Sequence, residues 1–294
     1  MPDPRTLRYE QPAPGVARIV LDRPEARNAQ DKRMTYELNA AFDRAAQDDE
    51  VKVVVLAGDG PHFCAGHDLR DRVRMDEFET VSTWSGFRRP GAEGLMAAEE
   101  ELYLQMCWRW RNLPKPTIAS VHGKTIAGGL MLVWVCDLVI AADDATFSDP
   151  TVAMGVNGIE LFAHPWELGA RKAKQLLFTG DEFGAEEAHR LGMVNEVVPR
   201  AELESRTLAL AARIATKPGF ALKLAKQSVN QALDAQGQWT SHQAAFSLHQ
   251  LAHSHNGQVF GMPVDPSGVP AGMTARRPAP EPDGAEAPAP PPAG

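Results

Sequence analysis

The segment Val51 to Ala57 is apolar at every position but Lys52, and it stops at Gly58-Asp59-Gly60. Such a run reads as a strand covered on both faces and then a turn, which is the habit of parallel sheets flanked by helices. Its neighbours agree. Val16 to Leu21 reads as an earlier strand, Met34, Leu38, Phe42 and Ala45 share one face of a helix, and Thr117 to Val121 follows Pro114 and Pro116 as a further strand. Alternation of this kind specifies an α/β fold. A longer apolar stretch, Ile126 to Ala142, contains Gly128, Gly129 and Asp137 and falls short of the ~20 residues of a membrane helix, so it is expected to be buried core.

Thirty basic against thirty-eight acidic side chains give a net charge of −8, which removes the global attraction that nucleic-acid binders use. Cys64, Cys107 and Cys136 are odd in number and contain no CxxC pair, arguing against a disulfide framework and a cysteine metal site. Met1 to Tyr9 is polar and proline-bearing, without the pattern of a secretory leader. A cytoplasmic protein with no membrane or nucleic-acid partner is expected.

Three regions are expected along the chain. Residues 1–199 form an α/β core, residues 200–260 a helical region (Leu203 to Ala215, Phe220 to Leu233, Gln243 to His253), and residues 261–294 a low-complexity, disordered tail rich in Pro and Ala. Leu69 to Asn112 is a long, mostly polar insert carrying the acidic run Glu99 to Glu101. Inserts of this kind line a site or remain surface.

Common catalytic patterns are missing. Gly58-Asp59-Gly60 continues into Pro61, His62 and Phe63, which is no dinucleotide loop, and neither a Walker pattern nor a GxSxG elbow occurs. His249, His253 and His255 have spacing that permits joint ligation, but no matching carboxylate accompanies them in sequence; they read as a polar helix end, and no metal site is expected. Two glycine turns say more. In Gly60 to Leu69, Gly66 permits a tight turn and Asp68 is placed to cap a helix from Leu69 to Phe78. In Ile126 to Met131, paired glycines open an apolar helix and leave backbone N–H groups free of side-chain obstruction.

Four segments together resemble the crotonase, or enoyl-CoA hydratase/isomerase, superfamily: LDRPEARNA (Leu21 to Ala29), FCAGHDL (Phe63 to Leu69), Lys115 to Pro150, and Leu176 to Pro199. Their order and spacing span roughly the first 230 residues. The resemblance implies a spiral of ββα units with a helical trimerisation region, a homotrimer or dimer of trimers, and an acyl-CoA or enoyl-CoA thioester as substrate, coenzyme A entering as part of that substrate and not as a separate cofactor. It places the backbone N–H groups of His67 and Gly128 around the thioester carbonyl, and coenzyme A contacts at Arg23, Arg27, Ala65, His67, Asp68 and Leu69. Removing a proton beside a thioester, or adding to a conjugated one, drives charge onto the carbonyl oxygen, so one such donor is worth ~3–4 kcal/mol in the transition state.

Where the hydratase pattern has two glutamates, this chain has Met131 and Thr151. A thioether exchanges no proton and a threonine hydroxyl is a weak base. Glu160, in a segment where isomerase-like and dehalogenase-like relatives carry a carboxylate, is the expected acid or base, with Asp149, His164 and the His67 side chain as neighbouring polar candidates. Asp137 is expected to anchor backbone. Lyase or isomerase chemistry through a thioester enolate is the leading expectation. A hydratase with a relocated acid/base and a non-catalytic acyl-CoA-binding protein stand beside it.

Overall fold

A computed structural model describes residues 4–82 and 84–269. The chain opens with a hairpin, β1 (Leu7–Ala13) antiparallel to β2 (Val16–Leu21), followed by α1 (Lys32–Gln47) and β3 (Val53–Gly58). Asp31 caps α1 by accepting from the Met34 amide at 2.8 Å, and the face carrying Met34, Leu38, Phe42 and Ala45 is fully buried. Next come α2 (Ala92–Glu99), a π-helical stretch over Glu100–Gln105, α3 (Met106–Arg111), β4 (Thr117–Val121), β5 (Lys124–Ile126), α4 (Gly128–Trp134), β6 (Leu138–Ala142) and β7 (Thr146–Ser148). The remainder is α5 (His164–Thr179), β8 (Phe183–Gly184), α6 (Ala185–Leu191), β9 (Glu196–Val198), α7 (Leu203–Ala215), α8 (Gly219–Ala235) and α9 (Gln238–Phe260).

Six strands form one sheet in the order β1-β2-β3-β4-β6-β9, parallel throughout except for the first pair. A smaller sheet, β5-β7-β8, stands beside it. Alternate residues of β3 serve two cores: Val54 and Leu56 pack with α1, whereas Val53 and Val55 pack with Ile118, Ile140 and the Leu203, Ala211 and Ala215 face of α7. That is why the strand is apolar on both faces. It also makes α7 part of the sheet-covering layer, leaving α8 and α9 to extend from it.

Three expectations change. The expected α-helix over Leu69 to Phe78 is replaced by a single 3-10 turn at Met75–Glu77: Asp68 accepts from the Arg70 amide and Asp71 from the Val73 amide, so side-chain turns stand where helical bonds were expected. The second half of the Leu69 to Asn112 insert is interior, with Leu102, Leu104, Met106, Cys107 and Trp110 buried together with all three glutamates of the acidic run. Glu101 accepts from the Tyr36 hydroxyl and from the Val81 and Ser82 amides, which satisfies its burial. Residues 261–269, expected to begin the tail, fold back: the Asp265 amide donates to the Met154 carbonyl and Asn256 Nδ2 to the Pro263 carbonyl. The rest of that expected tail, 270–294, lies outside the described residues.

Candidate active site

Two loops are sewn together where β3 and β5 end. The Ile126 amide donates to the Cys64 carbonyl and the Cys64 amide to the Lys124 carbonyl. Gln30 completes the join: its amide donates to the Gly66 carbonyl, its carbonyl accepts from the Asp68 amide, and its Nε2 donates to the Gly128 carbonyl at 2.9 Å. Glycine is required at both contact points. A Cβ on Gly66, held at φ +90°, would stand 2.8 Å from the Ile126 carbonyl oxygen and 3.3 Å from the Gly128 nitrogen, and a Cβ on Gly129 would stand 2.6 Å from the Cys64 carbonyl oxygen. Ala127 takes φ +46°, a strained value outside glycine, and its own amide is tied to the Ser148 carbonyl. Among the described residues, the amides of His67 and Gly128 donate to no protein acceptor.

The His67 imidazole lies directly over Gly128; a Cβ there would meet the ring at 2.6 Å. Its other face stacks on Tyr103, with ring centroids 3.9 Å apart. His67 Nε2 is 3.1 Å from Glu160 Oε2, and the carboxylate is 5% exposed. Burial alone would raise the Glu160 carboxyl, but the His67 charge and hydrogen bond outweigh it and hold the group well below the usual carboxylate range. Burial likewise opposes a charged His67, yet the Glu160 charge and hydrogen bond, with Glu99 and Asp149 beyond, push its pKa up. Each partner therefore favours the charged form of the other. His67 Nδ1 is buried and without a hydrogen-bond partner among the described residues.

Asp149 and His164 form a second pair, fully buried, 2.7 Å apart; the Thr151 hydroxyl and amide donate to the other Asp149 oxygen. Thr151 thus positions a carboxylate instead of replacing one, and Met131 is core. Asp137 accepts from the Thr117 amide and hydroxyl and pairs with Lys226 at 2.9 Å.

The expected coenzyme A contacts divide by environment. Arg23 is drawn inward, its guanidinium shared between Asp68 at 3.0 Å, Asp31 at 3.3 Å and the Ala29 carbonyl. The Ala65 amide is spent on the Arg27 carbonyl. Arg27 is exposed with no partner for its side chain among the described residues, and Leu69 is 46% exposed at the rim. Sequence reasoning missed Gln30 and Tyr103, because each acts through a partner far along the chain. A cavity of about 240 Å³ lined by Val81, Glu101, Gln105 and Trp108 contains none of these groups; the His67 ring itself fills the space over Gly128.

A spiral of parallel strands joined to two converging glycine turns defines the crotonase class of thioester enzymes. Residues 11–262 match the model of the enoyl-CoA hydratase/isomerase family. EchA13 of Mycobacterium tuberculosis is 44% identical over 94% of this chain and 89% of its own length. Hydroxycinnamoyl-CoA hydratase-lyase of Pseudomonas fluorescens is 32% identical over 72% of this chain and 74% of its own. The crystal structure of a probable enoyl-CoA hydratase from Mycobacterium smegmatis superposes with a TM-score of 0.80 at 49% identity, covering 88% of this chain and 99% of that one. The chain belongs to the enoyl-CoA hydratase/isomerase family.

Proposed function

We propose that the protein performs lyase or isomerase chemistry on an acyl-CoA or enoyl-CoA thioester, holding the developing enolate oxygen between the backbone N–H groups of His67 and Gly128. The observation that carries this reading is the join made by Gln30, which presses two loops together while leaving those two amides without protein acceptors. Fixed donors of this kind need no reorganisation as charge builds.

Glu160 and His67 act as the acid–base pair. Glu160 orients the ring through Nε2, and Nδ1, beside Gly128, exchanges the proton with the carbon skeleton. With Nε2 held by Glu160, the Nδ1 lone pair takes the proton as the enolate forms and returns it to carbon afterwards. Arg27 and Leu69 at the rim meet the coenzyme A portion. The enzyme works in the cytoplasm and takes no separate cofactor. Hydration by the same pair is the second reading, favoured by the hydratase names of its relatives.

Parallel assays of double-bond migration, carbon–carbon cleavage and hydration over a panel of CoA esters separate the readings. Glu160→Gln is expected to lower kcat by about 10²-fold or more with a smaller change in KM. Full activity in that variant removes Glu160 from the mechanism. Calorimetric binding of the esters without turnover of any would instead make the protein a carrier.

A further inference from the structure

Helix α9 carries His249 and His253 one turn apart, and the fold sets Glu99, the last residue of α2, against them. The sequence shows no carboxylate near these histidines; the fold supplies one from a distant helix. His253 Nε2 is 3.3 Å from Glu99 Oε1 and His249 Nε2 is 3.7 Å from Glu99 Oε2, with the two rings nearly perpendicular. The three ligand atoms all lie within 4.8 Å of one another, and all three residues are buried.

The far side of each ring is fixed. His249 Nδ1 meets the Gly158 carbonyl at 2.8 Å and His253 Nδ1 the Pro263 carbonyl at 2.5 Å. A carbonyl only accepts, so each Nδ1 carries the hydrogen, and in the neutral ring each Nε2 presents a lone pair to Glu99. Gln250 donates to Glu99 Oε2 at 2.6 Å, steadying the carboxylate. An imidazolium at His253 paired with Glu99 would explain half of the cluster. It leaves His249 Nε2, on a side chain only 4% exposed, without a hydrogen-bond partner among the described residues. A buried orphan nitrogen is costly unless something binds it.

We propose that Glu99, His249 and His253 bind one divalent first-row transition ion of the zinc class. Two imidazole nitrogens and a carboxylate oxygen are a donor set for such ions, and ligands on bonds of ~2.0–2.1 Å around a tetrahedral centre stand about 3.3 Å apart, against 3.3 and 3.7 Å from Glu99 to the two rings. A fourth position opens toward Glu160, whose Oε1 is 3.8 Å from His249 Nε2. The ion joins α9 to α2 and sets a positive charge beside the carboxylate that holds His67. His255, exposed on the same helix, takes no part.

The test uses the full chain, freed of metal by a chelator and titrated with cobalt(II), then zinc(II). Expected are visible d–d bands saturating at one cobalt per chain, their displacement by zinc, and a Tm increase of about 5 °C at a hundredfold excess over Kd. Glu99→Gln and His253→Gln should each weaken cobalt binding by more than ~100-fold, Gln250→Leu by about 10- to 100-fold, and His255→Ala not at all. Should either ligand variant fail to fold, the Gln250→Leu titration and the wild-type stoichiometry still decide. No saturable site in the wild-type chain overturns the proposal, as does cobalt binding left unchanged in the ligand variants or in Gln250→Leu.

Discussion

Gln30 holds three backbone groups of the two active-site turns, and the glycines at 66 and 129 let those turns touch. Replacing Gln30 with Leu removes the side-chain bond to the Gly128 carbonyl while keeping the volume, so the His67 and Gly128 amides, proposed above to hold the enolate oxygen, lose their fixed separation. A misplacement near 1 Å costs about 10²-fold, so kcat of Gln30→Leu should fall roughly 10- to 100-fold with KM changing less. Unchanged kcat would show that the turns hold their spacing without it. Gly66→Ala forces a Cβ at φ +90° against the Ile126 carbonyl, and urea unfolding should report a loss of at least ~2 kcal/mol. The glycines, Met131, Thr151 and Glu160 are legible in the sequence because each sits in a short motif. Gln30, Tyr103 and Glu99 are not, because their partners Gly128, His67 and His253 lie far away along the chain and only packing joins them.

At the scale of elements, strands and amphipathic helices follow from pattern: β2, β4 and α7 have the expected limits, and α1 buries the predicted face. The region between β3 and β4 resists such reading. Its acidic run lies in a mostly polar insert whose pattern leaves lining a site and open surface equally available, yet Glu101 is wholly buried and fastens the 81–82 segment through two backbone amides. Glu101→Gln replaces one acceptor oxygen with a donor facing an N–H group, and should cost about 1–3 kcal/mol, with faster amide exchange at Val81 and Ser82. Unaltered exchange there would mean that other contacts hold the segment. The π-helical turn just beyond, at Glu100–Gln105, carries Tyr103, which stacks on His67; no periodicity in the sequence marks it.

Helix α5 offers a pH test. Burial pushes the Glu167 carboxyl up to about 7, with the Arg111 charge only partly opposing it. The folded chain therefore keeps a proton that the unfolded chain releases above the ordinary glutamate value of 4.5, and stability is lost as pH rises between these values. Glu167→Gln should match the wild type near pH 4 and exceed it near pH 8, by at most about 3 kcal/mol, since the side chain is only partly shielded from water. A pH-independent difference in Tm would contradict this.

For the molecule as a whole, the sheet and its two cores leave a set of apolar side chains outside. Phe178, Phe220, Val229, Leu248 and Leu251 are each more than half exposed, and α8 buries only Lys226. Exposure on this scale marks surfaces that associate. The expected assembly is a homotrimer or a dimer of trimers, and light scattering on the eluting species should give three or six chains; a monomer at micromolar concentration would contradict it. Among the described residues no helix is long and apolar enough to cross a membrane. Fold class was legible from one doubly buried strand and its neighbours, whereas the meeting of remote loops depends on how the layers stack.

Most depends on where the substrate carbonyl comes to rest. A crystal structure with a non-reactive acyl-CoA analogue should show that oxygen within ~3 Å of both the His67 and Gly128 nitrogens, with Glu160 and His67 facing the adjacent carbons. A carbonyl bound away from either nitrogen would contradict the account.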